Sequence, residues 1–143
     1  MAKALLLLSL CHCFEAMSAP VLVVDDEPDM CWVISHIIQS QGLNVVTAYS
    51  GEDACFKLAN GDFSVVFLDA KLPDMDGLEI ARRASTMTYS RPKIVLVSGY
   101  HYQDDPVIRH AIDEGIISAF LAKPFTNNEL LRNLALCQQC NVG

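Results

Sequence analysis

The sequence predicts an α/β domain: one sheet of five parallel strands with helices on both faces. Three observations carry this. Short, uninterrupted apolar runs such as Val65-Val66-Phe67-Leu68 and Ile94-Val95-Leu96-Val97 read as strands buried on both faces. Between them lie longer segments with apolar residues at helical spacing. Strand and helix alternate five times, which calls for crossover connections and hence a parallel sheet.

Val21-Leu22-Val23-Val24 is the first strand, and it runs into Asp25-Asp26-Glu27. Pro28 suits the first turn of a helix, along which Met30, Val33, Ile34, Ile37 and Ile38 form one apolar stripe until Gln41-Gly42 stops it. The second strand is 44–48. Ser50 to Asp53 opens a second helix with Ala54, Cys55, Leu58 and Ala59 inward, closed by Asn60-Gly61. The third strand, 65–68, ends at Asp69, and the turn-forming Leu72-Pro73-Asp74-Met75-Asp76-Gly77 follows. A third helix starts near Gly77 and carries Leu78, Ala81 and Ala84, with a polar, loop-like stretch over 85–90. The fourth strand, 94–97, ends in Ser98-Gly99. Asp104-Asp105-Pro106 resembles a helix start with acids at the positive end, Ile108, Ala111 and Ile112 face inward, and Gly115 stops that helix. Ala119-Phe120-Leu121-Ala122 is the fifth strand, ending in Lys123-Pro124. Thr126 or Asn127 caps a last helix with Leu130, Leu131 and Leu134.

The chain divides into an extension (1–19), one domain (20–136) and a short tail (137–143), with no internal repeat or linker. The extension holds Lys3 and the run Ala4-Leu5-Leu6-Leu7-Leu8-Ser9-Leu10, which imitates a secretory signal but is too short to span a membrane as a helix. Three readings stay open: a natural start at Met17, a signal or membrane-associating segment, and an extra helix docked on the domain or a partner. A net charge of −7 argues against a broad nucleic-acid surface. Of the six cysteines, Cys31 and Cys55 sit at core-like helical positions, where reduced thiols are expected. Cys11-His12-Cys13 and Cys137 with Cys140 have ligand types suited to Zn²⁺ if the two ends meet; an incidental leader and tail is the plainer reading.

In a parallel sheet with helices on both faces, ligands gather at the carboxyl ends of the strands. Four of the five strands end there in a reactive or charged group: Asp25 and Asp26, Asp69, Ser98, and Lys123. If the first and third strands are neighbours, three carboxylates converge. Two like charges about 4 Å apart repel by about 4 kcal/mol at an effective dielectric of about 20, so such a cluster protonates or binds a cation. Hard oxygen ligands favour Mg²⁺. A carboxylate beside a divalent ion, an amine and a hydroxyl makes a phosphoryl-binding pocket, and carboxylates can form aspartyl phosphates.

These residues resemble the receiver domains of response regulators. The resemblance rests on Val23-Val24-Asp25-Asp26-Glu27-Pro28, Leu68-Asp69 with Leu72-Pro73-Asp74-Met75-Asp76-Gly77, Val97-Ser98-Gly99 and Lys123-Pro124-Phe125, in that order over about 20–136. It implies a flavodoxin-like, CheY-like doubly wound sheet of strand order 2-1-3-4-5. It implies Asp69 as phosphoacceptor, Asp26 as a direct Mg²⁺ ligand, Asp25 acting largely through water, and the Lys71 backbone carbonyl as the third protein ligand. Ser98 and Lys123 would hold the phosphoryl group, Phe120 would be the switch aromatic, and Pro124 would follow a cis peptide. Lys71 and Tyr100 fall where the family tunes phosphoryl lifetime. The implied donor is a histidine kinase or a histidine phosphotransfer protein, in the cytoplasm and without a membrane. The implied output is a change in the face of the fourth helix, fifth strand and fifth helix (about 106–136), which could bind a partner or a second copy.

Each position has a plainer role beside it. Phe120 suits a core, Ser98 a turn, Asp74 and Asp76 a turn and helix cap, and Glu27 a solvated first turn. Two other functions compete. A haloacid-dehalogenase-like phosphatase also uses an Asp nucleophile, but Lys71 stands where a second Asp is usual in that group. A receiver-shaped binding module would take no phosphate, yet every required group is present. The expectation is therefore a signalling domain whose only catalysis is its own phosphorylation and dephosphorylation.

Overall fold

A computed structural model describes residues 19–87, 91–99 and 105–138. The elements are β1 (Val21–Val24), α1 (Pro28–Gln39), β2 (Val45–Ala48), α2 (Gly51–Asn60), β3 (Val65–Asp69), α3 (Gly77–Met87), β4 (Lys93–Ser98), α4 (Pro106–Asp113), β5 (Ala119–Ala122) and α5 (Asn127–Gln138). The sheet is parallel throughout, in the order β2-β1-β3-β4-β5. This is the predicted doubly wound arrangement.

Successive strand residues point to opposite faces, so each apolar run feeds two cores. Leu22, Val24, Val66, Leu68, Ile94 and Leu96 pack with Ala54 and Leu58 of α2, Ile80, Ala81 and Ala84 of α3, and Ile108 and Ala111 of α4. Val21, Val23, Val65, Phe67, Val95 and Val97 pack with Cys31, Ile34 and Ile38 of α1 and Leu130 and Leu134 of α5. Because both faces are covered, the central strands need no polar side, which is why their sequences do not alternate.

The helix ends follow local chemistry. Ser50 Oγ accepts the Asp53 N–H at 3.1 Å, Asp105 Oδ1 accepts the Val107 N–H at 2.9 Å, and Thr126 Oγ1 accepts the Glu129 N–H at 3.1 Å. Thr126, then, is the cap of α5. Gly42 and Gly115 take positive φ just past α1 and α4, where other residues are strained.

Some expectations are corrected. Val33, Ala59 and Ile112 are exposed, because each lies just off the buried arc of its helix; α1 buries Cys31, Ile34, Ser35 and Ile38 instead. Cys55 is half-buried. The second strand begins at Val45, not 44, and the fourth extends over 93–98. Residues 85–87 are helical rather than loop-like. Ser85 Oγ and Thr86 Oγ1 donate back to the carbonyls of Arg82 and Arg83, so these polar residues stay within the last turn. The leader, Cys11-His12-Cys13, the 88–90 segment, Tyr100 to Asp104 and Cys140 lie outside the described residues. Among the described residues no helix is long and apolar enough to cross a membrane.

Candidate functional site

Parallel pairing brings the strand ends together. Val24 pairs with Leu68, so Asp25 and Asp69 leave adjacent strands at the same level. Ser98 pairs with Ala122, and the Lys123 N–H donates to the Ser98 carbonyl at 2.8 Å. Asp25, Asp26, Asp69, Ser98 and Lys123 therefore share the carboxyl rim of the sheet. The Lys123–Pro124 peptide is cis.

Three carboxylates face one another there. Asp25, Asp26 and Asp69 each offer an oxygen within 4.8 Å of the others'. That donor set of hard oxygens fits Mg²⁺, and it contains no thiolate or imidazole that would favour Zn²⁺. Asp25 is 2% exposed. Its Oδ1 accepts the Glu27 N–H at 2.9 Å and its Oδ2 accepts the Lys123 ammonium at 3.0 Å. The Cys31 thiol beneath donates to the Asp25 carbonyl at 3.3 Å. Burial, then the nearby Asp25 charge, pushes that thiol up to about 11, so it stays protonated.

Asp69 is held more loosely. Its Oδ1 accepts the Lys71 N–H at 3.2 Å, and its Oδ2 lies 3.9 Å from Lys123 Nζ. Burial raises its pKa above the ordinary carboxylate value, with Asp25 and Asp26 adding to the rise, while Lys123 and the Lys71 N–H partly oppose it. For Lys123, burial acts to lower the pKa, but the Asp25 hydrogen bond and the Asp69 and Asp25 charges outweigh it, so the pKa is raised and the amine stays charged. Ser98 is buried. Phe120 is half-buried against the core shared by α2, α3 and α4, across from Leu96.

Two supports escaped the sequence reading. Asp74 does cap a helix, but not its own: its carboxylate accepts the N–H groups of Gly51 (2.9 Å) and Glu52 (3.0 Å) at the start of α2. Those two bonds lower its pKa. Asp76 caps α3 through the Leu78 N–H at 2.9 Å. Gly77 donates to the Ala70 carbonyl at 2.8 Å, and a Cβ on it would lie 2.4 Å from the Asp69 carbonyl oxygen. The loop after β3 is thus clamped at both ends. Only the glycine after Asp76 hinted at this, because a contact across 23 residues leaves no local pattern.

A family model, the response regulator receiver domain, matches residues 21–135. The chain belongs to the receiver-domain family. It is 30% identical over 122 residues to the transcriptional regulatory protein TcrA of Mycobacterium tuberculosis, covering 85% of this chain and 47% of that one. The chain thus spans about half the length of that relative. The CheY-like receiver domain protein of Methanospirillum hungatei superposes with a TM-score of 0.74 at 25% identity, over 84% of this chain and 93% of that one. The response regulator TrrA of Thermotoga maritima, solved in complex with Mg²⁺ and BeF, superposes at 0.71 with 29% identity, over 83% and 98%. Receiver domains of two-component systems are phosphorylated on an aspartate, take the phosphoryl group from histidine kinases and bind Mg²⁺ at an acidic pocket.

Proposed function

We propose that residues 20–136 form a receiver in which Asp69 accepts the phosphoryl group from a histidine kinase or histidine phosphotransfer protein in the cytoplasm. The observation that carries this is the geometry at Asp69: its carboxylate sits 3.9 Å from the Lys123 ammonium and within 4.8 Å of two further carboxylates. An Asp69 oxygen attacks phosphorus, the phosphorus–nitrogen bond of the donor phosphohistidine breaks, and the imidazole leaves with the electron pair. Asp25, Asp26, Asp69 and the Lys71 carbonyl are the residues to hold Mg²⁺, which would neutralise charge on the transferring group. Lys123 pairs with the phosphoryl oxygens and Ser98 donates to them. Lys71 and Tyr100 set how readily water reaches the product.

The same reading includes a switch. Added negative charge beside Ser98 and Lys123 draws the loop after β4 toward the site. Among the described residues, a cleft of about 200 Å³ opens beside Lys71, between Leu78 of α3 and Val107 and Ile108 of α4. Phe120 lies against the same core, so movement there would be passed to the α4-β5-α5 face, where a partner or a second copy would bind. In a longer parent chain that face would address the attached output.

Acetyl phosphate with Mg²⁺ tests the reading directly. The expected result is a gain of one phosphoryl mass that hydroxylamine removes, as it does from an acyl phosphate, and that Asp69→Asn abolishes. An adduct retained in Asp69→Asn would overturn the assignment. Multiple turnover of phosphate esters would favour the phosphatase instead.

A further inference from the structure

The opposite rim of the sheet carries a feature that the phosphoryl site does not use. A groove of about 170 Å³ lies between the loop after α1 and the last turns of α5, lined by Gln41, Leu43, Leu131, Leu134, Ala135 and Gln138. Four of these are apolar and two are neutral amides, so nothing in the lining favours a charged occupant. Residues 131, 134, 135 and 138 stand at i, i+3, i+4 and i+7, the spacing of a helix face that receives an apolar segment. The α5 helix already spends Leu130 and Leu134 on the core. Leu131 and Ala135 extend a second stripe that the described residues leave half-buried or exposed.

We propose that this groove is the seat of the chain's own leucine-rich segment, residues 4–10. The chain upstream of β1 leaves at the same rim. The Val21 N–H donates to the Asn44 carbonyl at 2.9 Å, and Asn44 directly follows Leu43 of the groove. The Ala19 carbonyl is held by Ser64 Oγ at 3.1 Å, which fixes the point of departure. From there residues 11–18 can span up to about 26–29 Å when extended, ample for residues 4–10 to reach α5. Those seven positions hold five leucines. They are too few to cross a bilayer, which takes about 20 residues as a helix. A groove this small would bind a separate partner weakly. A tethered segment is present at an effective concentration on the order of millimolar, so modest apolar contact is enough.

Hydrogen exchange on the full chain tests this, comparing the parent, a Leu6→Asp/Leu7→Asp double variant, and Ala135→Glu. The leader pair precedes residues 20–136 in sequence, and Ala135 is an exposed helical position, so all three are expected to fold. The expected result is that the leader pair speeds exchange at 131–138 by about tenfold or more, and that Ala135→Glu speeds exchange at 4–10. Cys11 and Cys13 follow the segment directly and Cys137 lies beside Gln138, so a short bis-maleimide should join 11 or 13 to 137 within one chain of the parent and fail to do so in the leader pair. Exchange at 131–138 unchanged by the leader pair would overturn the proposal. So would protection that grows with protein concentration, which assigns the groove to a second copy. Protection of 4–10 seen only with phosphatidylglycerol vesicles would overturn it in favour of a membrane surface.

Discussion

Asp25 and Asp69 are the same side chain at the ends of adjacent parallel strands, yet the fold treats them differently. Asp25 is buried, with a backbone N–H on one oxygen and the Lys123 ammonium on the other. Asp69 keeps 13% of its side chain exposed, has one longer backbone hydrogen bond, and stands 3.9 Å from the same ammonium. Asp25 therefore anchors Lys123, and Asp69 is left under-compensated. An acceptor needs an oxygen that is not already committed, and of these two carboxylates Asp69 is the one that offers it, which supports its proposed role. The raised Asp69 pKa is the thermodynamic sign of that arrangement.

The contrast can be broken most completely at Asp69. In Asp69→Asn, phosphoryl uptake should vanish, read by intact mass after acetyl phosphate, while thermal stability at neutral pH should rise. The sign follows from linkage. The folded pKa lies above the unfolded one, so the native state holds this proton more tightly, and stability falls as pH rises from the unfolded value of about 4 through the folded value. Removing the charge removes that loss. Melting curves of the two proteins between about pH 3 and 7 should diverge upward with pH, and an Asn variant that melts lower at neutral pH would contradict the argument.

Lys123→Ala attacks the other side of the pair. It strands a buried carboxylate, and the cost should be roughly 3 kcal/mol, near the low end for breaking a buried pair because Lys123 keeps partial exposure. Added Mg²⁺ should raise the melting temperature of this variant more than that of the parent, since the amine no longer competes for Asp25. Equal shifts in the two proteins would mean that the ion and Lys123 do not share the carboxylate.

Gly77→Ala probes the backbone under Asp69. With its Cβ at 2.4 Å from the Asp69 carbonyl oxygen, the loop must move, at about 1–3 kcal/mol in urea unfolding and with slower phosphoryl uptake. Gly61→Ala is the control, because its nearest neighbours lie at 3.4 Å and uptake should be unchanged.

The smallest effect is expected at Asp74. Asp74→Ala should lower the melting temperature modestly at pH 7, while Asp74→Asn retains most of the cap. The folded pKa is depressed, so the contribution is present above about pH 4 and is lost as pH falls through the folded value. The gap between parent and Asp74→Ala should therefore close in acid. A gap that persists there would assign the effect to something other than the carboxylate.

The strands, the helices and the rim that carries the site were legible in the sequence. Apolar runs such as Val65 to Leu68 and stripes such as Ile34 and Ile38 state their burial through spacing alone. Asp25, Asp26, Asp69 and Lys123 could be placed together because each stands at a strand's carboxyl end or within two residues of it, and parallel strands end on one rim. Helix faces were read less well at their margins: Val33, Ala59 and Ile112 sit one step off the buried arc, where periodicity does not discriminate. What only the tertiary structure decided is how the groups are partnered. Lys123 Nζ could have paired with either carboxylate, and the register of β1, β3 and β5 gives Asp25 the shorter contact. Asp74 holds α2 rather than its own helix, and Gly77 leaves room for the Asp69 backbone, through approaches between segments distant in sequence. Periodicity reports which side of an element faces the core; it carries no record of distances between elements, and the chemistry of this site is set by those distances.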